Sequence, residues 1–304
     1  RSFGSINHHT FITFAHILGK FFWCALSMSV TEVSIIVDGQ FASFLPTGTV
    51  TLLSYAHKFM AIPIGVFAVA FSTILLPYFS RISTYAPKRL NFFLFESAKM
   101  VFFVMIPCTL GLIFFAKDIF ITIFVSDSFT MEQADTGIIL AAFGLGLFFF
   151  ALNKIILNIY YAMHETFLPG VVSAVALVVN VLFNLLFIWT LGAFGLALAT
   201  AIAGACQTIL LFYFLRKKFG FHGYLPQFFD FVKKYHIQLH AVSTIFLGFY
   251  FSFANAIKLL PAPLSYFFLQ RIGFWLWVAP LCLMAGLLLY LWRRRFGVRL
   301  YFLD

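Results

Sequence analysis

Long apolar runs separated by short polar connections set the pattern of the chain. At about 20 apolar residues per membrane span, the pattern predicts eight helices, near 21–43, 50–79, 91–116, 133–160, 168–189, 194–215, 237–257 and 272–292. The connections alternate in character. Arg81, Lys88 and Arg89 follow the second helix, Arg216, Lys217, Lys218, Lys233 and Lys234 the sixth, and Arg293, Arg294, Arg295 and Arg299 the eighth. The opposite connections hold Lys117, Lys258 and Arg271 together with Asp118, Asp127, Glu132 and Asp135. Cytoplasmic loops carry the excess of Lys and Arg, so the even-numbered helix ends are placed in the cytoplasm. Both ends of the segment are then cytoplasmic. That orientation needs an even number of spans, in agreement with eight.

The long inner connection, 216–236, divides the chain. A linker remnant (1–20) and a six-helix lobe (21–215) precede it; two further helices and a basic tail (237–304) follow. Its GYLPQFFDFVKKYHI stretch reads equally as an interfacial amphipathic helix or as a solvated loop. The chain starts at Arg1 without the ordered regions of a secretory leader, and is expected to be a piece of a longer protein.

Composition sharpens the class. Hydrophobic residues make up 62% of the 304 and charged residues 10%, where soluble domains carry about 25% charge. The expected fold is therefore all-α and polytopic, an integral membrane protein. The net charge of +10 is dispersed between spans, which fits loop bias and attraction to anionic membrane lipids rather than nucleic acid. Cys24, Cys108, Cys206 and Cys282 sit singly in apolar runs and read as small buried hydrophobes. HETF at 164–167 lacks the second His of a zinc-protease helix, and no Gly-rich phosphate loop or nucleophile elbow is present. Membrane-bound transferase or phosphatase chemistry is disfavoured, and no enzymatic activity is expected.

The second run carries the first candidate chemistry. His57 and Lys58 lie about two turns inside it, and Pro63 and Gly65 follow. A Lys at the centre of a span costs about 2.5–3.5 kcal/mol and normally faces a protein interior or a watery cavity. The alternative is a side chain that snorkels to the outer interface. Glu32 on the first helix is a second charged candidate for such a cavity. Pro63, Gly65 and, in the third helix, Pro107 loosen the backbone ladder and are candidate hinges. Asn153, Lys154 and Asn158 form a polar face read chiefly as snorkelling. Gly195, Ala199 and Ala203 recur at four-residue spacing and read as close helix packing.

SYAHKFMAIPIGVFAVAFSTILLPYFSR (54–81) resembles the signature of the MurJ/MviN lipid II flippases, approximately Y-A-D-R-L-x-x-x-P-x-G-V-x-x-V-A-x-x-T-x-L-L-P-x-x-S. VDGQFASFLPTGTVTLLSYA (37–56), NIYYAMHETFLPG (158–170) and the run from Asn180 to Thr200 are similar to further parts of that family. The resemblance covers about 25–215. It implies a six-helix lobe of the multidrug/oligosaccharide-lipid/polysaccharide exporter type with two further helices, together helices seven to fourteen of a fourteen-helix transporter of the bacterial inner membrane. The N-terminal six-helix lobe would be the missing partner. His57–Lys58 stands where the family usually has Asp–Arg, so the charge survives without Arg's fork. Met163 and Phe167 replace residues that are often basic there.

The same resemblance assigns the candidate sites. Lys58 would line a central cavity that receives the pyrophosphate of lipid II; His57 and Glu32, candidates by their own charge and position, would either line it too or pack against and bond their neighbours. Asp38, Asn180, Asn184, Leu196 (through its carbonyl) and Thr200 would hold Na⁺ as coupling ion, a hard-oxygen set that suits a small hard cation. One matching position is commonly acidic in the family and is Asn184 here. The alternatives are interhelical glue from Asn180 and Asn184, or Asp38 neutralising Lys58 across the short turn. The implied function is lipid II flipping by alternating access, with the last two helices offering a groove to the polyprenyl tail. Two other readings stay open: a different lipid-linked oligosaccharide flippase or cation-coupled drug exporter of the same superfamily, and an inactive half-lobe that only binds lipid or a partner.

Overall fold

A computed structural model describes residues 8–124, 137–220 and 224–304. Asp127, Glu132, Asp135 and the start of the expected fourth span lie outside the described residues. Among the described ones every regular element is a helix. In chain order these are α1 (His8–Ala42), α2 (Thr49–Pro63), α3 (Ala70–Tyr85), α4 (Pro87–Phe114), α5 (Ala116–Phe124), α6 (Ile138–Ala162), α7 (Phe167–Phe219), α8 (Leu225–Lys258), α9 (Ala262–Gln270) and α10 (Phe274–Trp292).

Seven helical stretches among the described residues are long and apolar enough to cross a membrane. One of them, α7, has 53 residues. At 1.5 Å per residue it would be roughly 80 Å long, against about 30 Å of hydrocarbon. Gly192 divides it. Its φ of 55° and ψ of −136° belong to backbone space that only glycine visits without strain, and they separate an arm at 167–191 from an arm at 193–219. The number of crossings is then the expected eight.

α2 and α3 are one span, Thr49–Tyr85, interrupted by a π-helical turn at Ile64–Val69. Pro63 closes α2 and stands directly before this turn; its missing N–H and its ring act on the helical turn N-terminal to it. Within 64–69 the ladder is one residue longer. The hinge candidate Gly65 lies inside this turn, whereas Pro107 sits in the unbroken α4.

α6 is the hub. It packs on α7 and on α4, α3, α2 and the π turn, and it is the most enclosed of the spans. Small residues permit this closeness. Gly146 of α6 lies so near Ala201 of α7 that an added Cβ would sit 3.0 Å from the Ala201 Cα. Ala197, Ala199, Ala201 and Ala203 are buried on the same arm.

Hydrogen bonds between spans add direction to this packing. The Tyr160 hydroxyl donates to the Leu211 carbonyl at 2.8 Å. Asn158 Nδ2 donates to the Ser72 carbonyl at 2.7 Å, and Asn153 Nδ2 to Gln207 Oε1 at 2.6 Å. The expected snorkelling of Asn153 and Asn158 is thus corrected. Both are buried and tie α6 to α7 and α3, because a side-chain amide is too short to reach water from a helix surrounded on all sides.

α8 begins twelve residues before its expected span, so the second half of the 216–236 connection is regular helix. Its Tyr235 hydroxyl donates to the Phe103 carbonyl of α4 at 2.7 Å, and Gln238 Nε2 donates to the Leu289 carbonyl of α10 at 2.6 Å. The expected basic tail folds back instead of trailing away. Arg293 is 4% exposed and donates to the Leu303 carbonyl at 2.6 Å and to Asp304 Oδ1 at 2.9 Å, while Tyr301 N–H reaches Glu96 of α4 at 3.3 Å.

Candidate functional site

The C-terminal end of α1 brings Asp38 against both arms of α7. Asp38, Asn180 and Asn184 are fully buried, with Leu196 and Thr200 beside them. Asn180 and Asn184 are one helical turn apart and share a face, as do Leu196 and Thr200 on the other arm. The break at Gly192 folds the arms together so that both faces meet Asp38.

The cluster is closely bonded. Asp38 Oδ1 accepts from Asn184 Nδ2 at 2.6 Å and from Asn180 Nδ2 at 3.2 Å. Asp38 Oδ2 accepts from the Thr200 hydroxyl. Thr200 Oγ1 lies 3.0 Å from Asn180 Nδ2 and 3.3 Å from the Leu196 carbonyl. Asn184 Nδ2 is also 3.3 Å from Asn180 Oδ1. All five residues expected to hold a cation therefore meet in one place. Asp38 turns both carboxylate oxygens to this cluster and not to Lys58.

The donor set fits a small hard cation. It offers a carboxylate, two amide oxygens, a hydroxyl and a main-chain carbonyl, all of them oxygen ligands of the kind such ions take. Asn184 Oδ1 is buried with no hydrogen-bond partner, and buried acceptors are rarely left so. Its Nδ2 is the end that faces Asp38, so the amide would turn about its last bond to present this oxygen to a cation at the carboxylate. The set carries a single formal negative charge, which suits a monovalent ion better than a divalent one. Among the described residues there is no group of three or more His, Cys, Asp or Glu side chains able to hold a metal ion.

The other candidates lie on α1 (Glu32) and α2 (His57 and Lys58). Lys58 and Glu32 are exposed. Lys58 Nζ is 5.5 Å from the centroid of the Tyr55 ring, a cation–π arrangement that helps retain an ammonium away from water. His57 is half-buried, its ring edge-on to Phe143 at 5.9 Å, and its Nε2 is buried without a hydrogen-bond partner. Glu32 acts electrostatically on His57 from α1. The Lys58 ammonium stands at the surface of this chain and is not enclosed by its helices, so the chain supplies one wall of any hollow around it. The π turn lies six residues further along the same span.

Sequence reasoning missed Ser34, Ser173 and Gln207, all buried and all near the Asp38 cluster. The signal was present on α1, where Ser27, Thr31, Ser34 and Asp38 repeat at one-face spacing.

Comparison with known proteins bears on this arrangement. The family model described as "Lipid II flippase MurJ" matches residues 6–291. A probable lipid II flippase MurJ of Vibrio cholerae is 32% identical over 189 residues, which cover 61% of this chain and 36% of the relative. Lipid II flippase MurJ of Burkholderia cenocepacia is 30% identical over 204 residues, covering 66% and 40%. A solved structure, lipid II flippase MurJ in an inward closed conformation, superposes with a TM-score of 0.69 at 26% identity, covering 98% of this chain and 57% of that one. The chain thus spans well under half the length of the curated relatives, and those relatives are named as transporters rather than enzymes. With the family model matched along nearly its whole length, this chain belongs to the MurJ lipid II flippase family.

Proposed function

We propose that the protein takes part in moving lipid II across the bacterial inner membrane by alternating access. The observation that carries this reading is the match over residues 6–291, within which Lys58 stands exposed on a span interrupted by a π turn. A lipid-linked pyrophosphate is a double anion, and crossing hydrocarbon requires a cation in a low-dielectric setting. Lys58 supplies that charge, with His57 and Glu32 beside it. The opposite wall of the cavity comes from a second lobe, corresponding to the part of the relatives' length that this chain does not span. α8 and α10 offer their apolar faces to the polyprenyl chain. The π turn is the compliant point about which the Lys58 half of the span swings.

The Asp38 cluster is the coupling site in this reading, and Na⁺ is its ion. The orphaned Asn184 Oδ1 and the all-oxygen donor set support it. No covalent chemistry is required.

The test is complementation of cells depleted of their own lipid II flippase. Lys58→Ala is expected to lower flipping by at least about tenfold, equivalent to roughly 1.4 kcal/mol, while Lys58→Arg retains most of it. Full rescue by Lys58→Ala would remove Lys58 from the mechanism.

A further inference from the structure

The Asp38 cluster is the end of a longer polar line. On α1, Ser27, Thr31, Ser34 and Asp38 follow each other at three- and four-residue steps and so share one face. Ser27, Ser34 and Asp38 are buried, and α1 packs chiefly on α7. The arms of α7 answer with Ser173, Asn180 and Asn184 on one side and with Thr200 and Gln207 on the other, all buried.

Hydrogen bonds gather these residues into two layers. The outer layer is the Asp38 cluster. In the inner layer Asn153 Nδ2 donates to Gln207 Oε1 at 2.6 Å, and Gln207 Nε2 donates to the Ser173 hydroxyl at 2.8 Å. One turn further in, the hydroxyls of Ser27 and Tyr161 are 2.6 Å apart. Between the layers lies a cavity of about 10 Å³, roughly the space one water molecule needs. Thr31 and Ser34 line one side, and it touches both Thr200 of the outer layer and Gln207 of the inner.

Each layer keeps one unsatisfied acceptor: Asn184 Oδ1 outside and Asn153 Oδ1 inside, both buried without a partner. Two layers with a spare oxygen each, with a gap between them to which Thr31, Ser34, Thr200 and Gln207 contribute polar groups among apolar neighbours, have the form of a path.

We propose that this seam is the ion's way out of the Asp38 cluster, with Asn153, Ser173 and Gln207 as a second, weaker station on the inner side of the cavity. The inference rests on reading the Asp38 cluster as a Na⁺ site. The inner layer has no carboxylate, so it holds a cation less tightly than the outer one. That asymmetry suits a station from which the ion must leave, as conduction demands binding weak enough for release.

Two variants test it in the purified full chain reconstituted in nanodiscs. Ala203→Leu fills the cavity, and Thr31→Val removes a lining hydroxyl at nearly constant volume; neither touches a donor of the Asp38 cluster. Both are expected to keep the rise in melting temperature on adding Na⁺, and to release ²²Na⁺ at least about tenfold more slowly, roughly 1.4 kcal/mol of barrier. Release at the unaltered rate from folded variants with an intact Na⁺ shift overturns the seam while leaving the Asp38 site standing. If Ala203→Leu fails to fold, Thr31→Val decides alone. Absence of any Na⁺ shift in the unaltered protein overturns the cation site, and the seam with it.

Discussion

Asp38 shows how much depends on one side chain. A buried carboxylate needs donors, and Asn180, Asn184 and Thr200 supply them. An amide offers either end by turning about its last bond, so in the proposed Na⁺ reading Asn180 and Asn184 would turn their oxygens to the ion. Asp38→Asn removes the only formal charge of the cluster and nearly none of its volume. Its expected effect is loss of Na⁺-dependent thermal stabilisation with folding retained, read from melting curves with and without NaCl. Glu165, between α6 and α7, is a charge of the structural kind. Partial burial pushes its carboxyl up, but the Lys218 ammonium and the N–H groups of Leu168 and Phe167 outweigh this and hold it below its ordinary 4.5. A depressed carboxyl stabilises the fold above its ordinary value, and that contribution fades as pH falls through the lower folded value. Stability should therefore decline as the pH drops below 4.5, and Glu165→Gln should flatten this part of the melting-temperature profile. An unchanged profile would show that the Lys218–Glu165 pair contributes nothing measurable, as many exposed pairs do.

At the scale of elements, the backbone irregularities do the positioning. Gly192 folds the arms of α7 onto one another, and a Cβ there would meet no neighbouring atom within 4 Å. The cost of Gly192→Ala is accordingly conformational, about 1–3 kcal/mol, and would appear as a lower melting temperature together with weaker Na⁺ binding, because the two faces of the cluster would no longer meet squarely. Spans were legible in the sequence, since length and hydropathy fix them: 168–189 and 194–215 bracket the observed break at Gly192 to within a few residues. The short helices α5 and α9 were not, because nine-residue segments carry too few periods to separate from their neighbours. Nor was the π turn, although Pro63 and Gly65 pointed to its place. For the site, Asp38, Asn180, Asn184, Leu196 and Thr200 were each identifiable and do converge. Asn153 and Asn158 were misread as snorkelling because one-dimensional pattern cannot tell a water-facing side of a helix from a side clasped by another helix. Ser34 and Gln207 went unnoticed for the same reason, being ordinary small or polar residues until α1 and α7 are brought together.

At the scale of the molecule, α6 is the axis, with α1 and α7 forming one side and the α2–α3 span another. The cation cluster belongs to the first side and Lys58 to the second, so an ion and an anionic head group would act on different faces of a shared post. Coupling between them would run through α6, whose Asn158 grips Ser72 just beyond the π turn. That turn has one more implication. Because it spans i to i+5 where an ordinary turn spans i to i+4, it stores a single surplus residue within 64–69. Removing one amino acid there would convert it to plain α-helix and keep Lys58 and Asn158's partner Ser72 on their present sides, whereas the same deletion anywhere else between Thr49 and Tyr85 would rotate everything downstream by about 100°. Shortened relatives of this chain should therefore carry their gap at this point, and an engineered one-residue excision there should leave a well-folded but stiffer protein.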